Sequence, residues 1–382
     1  MATGRRIRIL IVDDSAVMRS LLRSVVCSDP ELEIAGTAAD GAAALQCLHD
    51  TYPGLVLLDV EMPVMDGLAT LRELRRRGHK MPVIMCSSLT LRGASVTLEA
   101  LACGASDYVA KPAGQSNREA AVRALAQDLL PKIRALASSA QIKPQSNLIG
   151  AARPPLVFPT ALPKPEPITS TPTALCIGVS TGGPAALDVL LPALPSGFPL
   201  PILIVQHMPE VFTKLFAERL NSHCRLRARE AAEGEPVSPG VIYIARGNWH
   251  MEVLPAARPG ASPTLRLKQG PLENHCRPAA DVLFRSAAAA YGSGVLAVVL
   301  TGMGSDGLSG CRIIRNHGGS VFAQDQATST VWGMPGAVAN AGLAHKVLAL
   351  DAIAPEILRI VNRPNAPTRE IPIRESLKSV VS

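Results

Sequence analysis

Short apolar runs that each stop at a polar residue, separated by stretches of helical period, limit most strongly how this chain can fold. Ile7 to Val12 stops at Asp13 and Asp14, Leu55 to Leu58 at Asp59, Val83 to Cys86 at Ser87, and Asp107 to Ala110 at Lys111. Helical patterns lie between them, over Ser15 to Val26, Gly41 to Asp50 and Ala69 to Arg77. Apolar runs without polar alternation read as strands buried on both faces, and strands alternating with helices build a parallel sheet covered by helices.

The pattern is interrupted once and then resumes. Between Lys143 and Thr173, prolines stand at 144, 154, 155, 159, 163, 165, 167 and 172 with almost no helix or strand period, which reads as a semi-extended spacer. Beyond it, apolar runs end at Ser180, at His207, near Gly247, at Thr301 and at Asp325, with helical patterns at Ala185 to Leu194, Val211 to Asn221, Ala279 to Tyr291, Gly307 to Asn316 and Ala352 to Val361. A chain of 382 residues is too long for one ordinary core. The expected organisation is α/β, two doubly wound parallel-sheet domains at 5–125 and 173–365. A linker helix and proline-rich linker at 126–172 join them, and a tail follows at 366–382.

In such sheets ligands bind where the C-terminal ends of the strands line up. Asp13, Asp14, Asp59, Ser87 and Lys111 all fall at those ends in the first domain. Three converging carboxylates repel one another unless a cation sits among them, and an oxygen-rich site with few ligands suits Mg²⁺. Lys111 adds a positive charge for a phosphoryl group and Ser87 a hydroxyl.

In the second domain, Gly178-Val179-Ser180-Thr181-Gly182-Gly183-Pro184 follows a buried strand and opens a helix, which leaves Ser180 exposed beside free helix-terminal N–H groups. Ser180, His207 and Asp306 each lie just beyond a strand's C-terminal end, so a nucleophile, a base and an orienting carboxylate can meet in one crevice. His275 is the rival base. Gly178 to Gly182 fits the G-x-S-x-G nucleophile elbow, but that family orders its triad serine, acid, histidine, and here the acid comes last. Gly302-Met303-Gly304-Ser305-Asp306-Gly307 fits a dinucleotide-binding G-x-G-x-x-G, with Asp325 where a ribose-binding acid belongs. Against a nucleotide-binding dehydrogenase, Asp306 would place a carboxylate where a pyrophosphate must sit.

Other classes are set aside by composition. The net charge is +7, but basic residues are scattered and aromatic residues make up only 3%, which argues against nucleic acid. No secretory signal opens the chain and no apolar run is long enough to cross a bilayer, so a cytoplasmic protein without membrane insertion is expected. The eight cysteines form no Cys-x-x-Cys, and Cys27, Cys47, Cys86, Cys103 and Cys176 fall in apolar runs. That suits buried thiols in a reducing compartment.

The acidic and basic strand ends, with Met62-Pro63 and Met65-Asp66-Gly67, closely resemble the receiver domain of two-component response regulators over about residues 5 to 125. The resemblance implies a flavodoxin-like strand order 2-1-3-4-5 and a sensor histidine kinase as phosphodonor. It also implies that Asp59 is the phosphoacceptor, that Asp13, Asp14 and Asp59 hold Mg²⁺, that Lys111 pairs with phosphoryl oxygens, and that Ser87 and Tyr108 relay the switch. In the second domain, Ser180 to Pro184, Gln206 to Pro209, His275 to Phe284, Thr301 to Gly307, Ala323 to Asp325 and Gly333 to Pro335 resemble the catalytic domain of the chemotaxis protein-glutamate methylesterases/glutaminases. This implies a Rossmann-like esterase with Ser180 as nucleophile, His207 as base, Asp306 as orienting acid, and Thr181 and Met303 near the oxyanion and substrate, with no cofactor in this domain. Gln326 stands where an acidic residue is usual, and Gly336-Ala337 where a charged pair is typical.

The activity implied is a phosphorylation-activated hydrolase that demethylates glutamate methyl esters and deamidates glutamines on methyl-accepting chemoreceptors. The full chain is expected to be inhibited until phosphorylated. A catalytically idle, phosphorylation-dependent binding module is the alternative from another class.

Overall fold

The computed structural model describes residues 6–112, 117–141, 168 and 170–362, with only the backbone of 138–141. Most of the proline-rich stretch and the tail at 366–382 lie outside the described residues.

In the first half, strands β1 (Ile7–Val12), β2 (Leu32–Ala38), β3 (Leu55–Asp59), β4 (Val83–Ser87) and β5 (Asp107–Ala110) alternate with helices. These are α1 (Ala16–Cys27), α2 (Gly41–Thr51), α3 (Gly67–Arg76), α4 (Leu91–Ala102) and α5 (Arg118–Gln141). The strands form one parallel sheet in the order β2-β1-β3-β4-β5. Successive side chains of a strand point to opposite faces. Accordingly Ile9 and Ile11 join α1 and α5 in one apolar cluster, while Leu10 and Val12 join α2, α3 and α4 in the other. The helices start where the sequence supplies a side-chain acceptor for a free N–H: Ser15, Asp40, Asp66 and Thr90 accept from Met18, Ala43, Ala69 and Gly93.

The second half opens with β6 (Ala174–Val179), α6 (Gly183–Leu190), β7 (Ile202–Gln206), α7 (Glu210–His223), β8 (Arg227–Glu230) and β9 (Val241–Ile244). It continues with β10 (His250–Leu254), β11 (Thr264–Lys268), α8 (Ala280–Tyr291), β12 (Val295–Val299), α9 (Leu308–Asn316), β13 (Ser320–Gln324), α10 (Met334–Asn340), β14 (Lys346–Leu348) and α11 (Leu350–Val361). Seven of these strands make a parallel sheet in the order β14-β13-β12-β6-β7-β9-β8. From β6 the chain winds one way through β7, and from β12 the other way through β13 and β14. The crevice therefore opens between the C-terminal ends of β6 and β12. An antiparallel hairpin, β10-β11, stands outside the sheet.

Cys27 departs from expectation: it is exposed, and Cys47 and Cys103 are only partly buried. The buried stripe of α1 runs through Met18, Leu21, Leu22, Val25 and Val26, and position 27 falls off it.

The two halves pack together. Helix α4 lies on α6 and α7, and one buried apolar cluster runs from α4 into the second sheet. No described helix is long and apolar enough to cross a membrane.

Candidate active site

Ser180 sits at the sharp turn after β6. Its amide donates to the Thr301 carbonyl (3.0 Å), its own carbonyl accepts from Gly183 (2.8 Å) and from Gln206 Nε2 (3.0 Å), and Gly182 makes the turn at φ 76°. Gly302 presses against it, for a methyl added there would stand 2.8 Å from Ser180 Cβ and 2.5 Å from Met334 Sδ. Gly302→Ala is therefore expected to displace the serine and lower hydrolysis about a hundredfold, since misplacement of this order costs about that much. Circular dichroism and ester turnover on the same sample check it.

His207 follows β7, and its amide donates to the Val179 carbonyl (3.1 Å). Its Nε2 lies 2.8 Å from Asp306 Oδ2, and its Nδ1 lies 3.5 Å from Cys276 Sγ. A carboxylate only accepts, so Nε2 carries the proton and Nδ1 is the nitrogen left for chemistry. Burial alone would push His207 down, yet the bonds to Asp306 and Cys276 lift it to about 9.

Asp306 is held by backbone as much as by the imidazole. It accepts from the amides of Ala280 (2.6 Å) and Asp281 (3.1 Å) at the start of α8, from Gly307 (3.0 Å), and from Asn274 Nδ2 (2.8 Å). Burial opposes its charge, but the bonds from His207 and these amides hold its carboxyl below the ordinary value. The G-x-G-x-x-G turn thus carries a fully engaged carboxylate where a dinucleotide would need room for phosphate. Asp325 is likewise occupied as a turn former, accepting from the Thr328 amide (3.0 Å) and hydroxyl (2.6 Å).

Ser180 and His207 line a crevice of about 870 Å³ together with Thr181, His275, Cys276, Arg277 and Met303. Among the described residues Ser180 Oγ has no hydrogen-bond partner, so serine and base share the crevice without a hydrogen bond between them. His275 stands in a turn at φ 62° with no hydrogen bond to a carboxylate among the described residues.

The opposite wall of the crevice belongs to the first half. Asp107 Oδ2 accepts a 2.6 Å hydrogen bond from Thr181 Oγ1, the residue after Ser180. Tyr108 stacks on Phe212 of α7, with ring centroids 4.5 Å apart and planes 18° from parallel. Lys132 of α5 donates to the Tyr108 carbonyl (2.7 Å) and pairs with Asp128 (2.9 Å). Met303 packs against the apolar cluster of the first sheet. Burial pushes Asp107 above its ordinary value, against the pull of Lys132 and Thr181. Asp107, Lys132 and Phe212 carry no recognisable site signal in sequence, and Asn274 and Cys276 stand out only as neighbours of His275, because the roles of all five lie in contacts between distant segments.

At the far edge of the first sheet, Asp13, Asp14 and Asp59 bring carboxylate oxygens within 4.8 Å of one another. Lys111 Nζ lies 2.7 Å from Asp59 Oδ1 and 2.9 Å from the buried Asp13 Oδ2. Burial pushes Asp59 up despite Lys111, and Lys111 is raised because its bonds to Asp59 and Asp13 outweigh its own burial. Three clustered carboxylates, two of them buried, offer the hard oxygens that fit a magnesium ion. Ser87 is at the same edge, its hydroxyl donating to the Ser88 carbonyl (3.1 Å) and accepting from Thr97 (2.8 Å). Gly336, one of the unusual positions, lies on α10, where an added methyl would meet the Trp332 ring at 3.0 Å.

Comparison with known proteins gives two family matches, CheB methylesterase over residues 175–357 and response regulator receiver domain over residues 9–123. A protein-glutamate methylesterase/protein-glutamine glutaminase of Nocardioides sp. is 49% identical over 94% of this chain and 96% of its own length. Its counterpart in Trichodesmium erythraeum is 44% identical over 93% of this chain and 99% of its own. The crystal structure of the Thermotoga maritima CheB methylesterase catalytic domain is 42% identical and covers 50% of this chain and 100% of that one, with a TM-score of 0.48.

Proposed function

The chain belongs to the CheB methylesterase family and carries a response regulator receiver domain, and on that premise we propose that Ser180, His207 and Asp306 are its hydrolytic triad and Asp59 its phosphoacceptor. The activity is phosphorylation-regulated demethylation and deamidation of chemoreceptors in chemotaxis. The observation that carries the residue assignment is the line from Asp306 through His207 into the crevice where Ser180 stands.

Ser180 Oγ attacks the γ-carbonyl carbon of a glutamyl methyl ester or glutamine side chain, and its proton passes to His207 Nδ1. The ring then delivers that proton to methanol or ammonia as the bond breaks. Water, deprotonated by the same nitrogen, releases the glutamate carboxylate. Asp306 keeps the proton on Nε2 and stabilises the imidazolium, using the opposite ring nitrogens to those of trypsin-like enzymes. Among the described residues the amides of Thr181 and Met303 have no acceptor and both residues line the crevice, which supports reading them as oxyanion donors.

In the receiver domain, Asp13, Asp14 and Asp59 would hold Mg²⁺, which when bound supplies charge neutralisation for phosphoryl transfer to Asp59. Lys111 contacts the acceptor carboxylate directly and is placed to meet the phosphoryl oxygens. A histidine kinase is the proposed donor, the cytoplasmic helices of a methyl-accepting chemoreceptor are the proposed substrate, and the cytoplasm is the proposed location of this chain. The test is ammonia release from a glutamine-bearing receptor fragment. Acetyl phosphate with Mg²⁺ is expected to raise the rate at least tenfold, and chelation or Asp59→Asn to hold it at the basal level. Stimulation that survives in Asp59→Asn removes Asp59 as the phosphoacceptor.

A further inference from the structure

We propose that Cys276 is an oxidisable thiol site, in which a hydroperoxide converts the thiol to a sulfenic acid that occupies the base nitrogen of His207 and silences the esterase. Its geometry is built rather than incidental. Glu273 and Cys276 exchange two backbone hydrogen bonds (3.1 and 2.9 Å) across a tight turn whose central residues, Asn274 and His275, have φ of 51° and 62°. That is the left-handed pair a type I′ turn demands. Asn274 is tied by its side chain to Asp281 (2.9 Å) and to Asp306 (2.8 Å), so the turn is anchored to the carboxylate that orients His207.

The turn sets Cys276 Sγ 3.5 Å from His207 Nδ1, the position that Ser180 needs for its own proton transfer. A Cys-His-Asp line is thereby as complete as the Ser-His-Asp line. Cys276 is also near enough to the Lys132 ammonium for the two to interact electrostatically, and Lys132 itself is raised, its bonds and nearby acids overcoming burial. Cys276 is half-buried and lines the crevice, which gives a small oxidant access.

The other cysteines lack this combination. Cys86, Cys176 and Cys311 are fully buried, and burial pushes all three thiols up. Cys27 is exposed. Cys103 contacts Arg72, whose guanidinium cannot accept a proton. Among the described residues no other cysteine has an imidazole partner.

The step balances as Cys276–SH + ROOH → Cys276–SOH + ROH. Sulfur attacks the distal oxygen and is oxidised by two electrons, the O–O bond breaks, and the thiol proton passes through His207 Nδ1 to the leaving alkoxide. A dithiol reverses it with loss of water.

The test treats the full chain with hydrogen peroxide, traps sulfenic acid with dimedone and maps the adducts by mass spectrometry. Cys276 is expected to label at least tenfold faster than Cys27 or Cys103, and at least tenfold more slowly in His207→Gln. In parallel samples without dimedone, methanol release should fall in step with labelling, return with dithiothreitol, and show no peroxide-dependent loss in Cys276→Ser relative to that variant's own untreated rate. Labelling of Cys276 no faster than Cys27, labelling unchanged by His207→Gln, or labelling without loss of activity would each overturn the proposal. The loss of activity rests on the esterase reading, whereas the adduct map does not, so the two fail separately.

Discussion

Ser180→Ala will lower methanol release from a methylated chemoreceptor by about three orders of magnitude or more, and His207→Ala will do nearly the same. General-base help contributes roughly 10²–10⁴ and oxyanion donors a comparable factor, so removing the nucleophile or its base forfeits most of the acceleration. Because the residues act as a unit, the Ser180→Ala/His207→Ala double variant should be scarcely slower than the worse single one. Asp306→Asn should also be severe, since an amide would put a donor among the Ala280, Asp281 and Gly307 amides that now donate to the carboxylate. The base works only when neutral, and His207 is lifted to about 9 in this closed arrangement. Turnover by the unphosphorylated chain should therefore rise with pH from 7 through about 9, and fall away below that range as the ring stays protonated. A flat profile over these two units, or a double variant showing the product of the single losses, contradicts the assignment.

Asp107→Asn will raise the basal rate of the unphosphorylated chain roughly five- to a hundredfold and shrink the further gain from acetyl phosphate. Its carboxylate holds the Thr181 hydroxyl beside the nucleophile, and a buried bond of this kind is worth about 1–3 kcal/mol. Tethering keeps the two domains at high effective concentration, so a docking energy of a few such contacts is enough to keep the crevice covered. The stack of Tyr108 on Phe212 supplies another, at about 0.5–1.5 kcal/mol beyond the area it buries. Tyr108 sits on the strand that ends one residue before Lys111, and Lys111 holds Asp59, so charge added at Asp59 acts at one end of the strand whose other end, Asp107 and Tyr108, covers the esterase. Parallel methanol-release assays of parent and variant, with and without acetyl phosphate, check this. An Asp107→Asn chain that folds and remains as slow as the unphosphorylated parent would show that this contact does not hold the crevice shut.

The central strands were legible in the sequence because parallel strands covered on both faces are continuous apolar runs, and their ends announced the acidic cluster, Ser180 and His207. Of the edge strands only β5 was. β8 reads Arg-Ala-Arg-Glu and β2 holds only two buried residues of seven, so neither offers an apolar run to recognise. The β10-β11 hairpin escaped because the chain around it alternates too weakly to separate from loop. Triad geometry was legible only as convergence at one edge, and the use of Nε2 for Asp306 and Nδ1 for the crevice depends on ring orientation, which spacing does not encode. The interdomain wall left least trace. Asp107 looks like an ordinary strand start, Phe212 like a helix core residue and Cys276 like a loop residue, and each gains its meaning from a partner at least twenty residues away, 74 in the case of Asp107 and Thr181.

Because both Ser180 and Cys276 share a crevice with His207 Nδ1, the identity of the nucleophile is the claim to test most directly. The phosphorylated chain is mixed with a methylated receptor fragment, quenched in acid during turnover, digested and mapped by mass spectrometry. A glutamyl ester on the peptide containing Ser180, lost within the turnover time when the quench is delayed, is the predicted result. A glutamyl thioester on Cys276, with Ser180 unmodified, would contradict it.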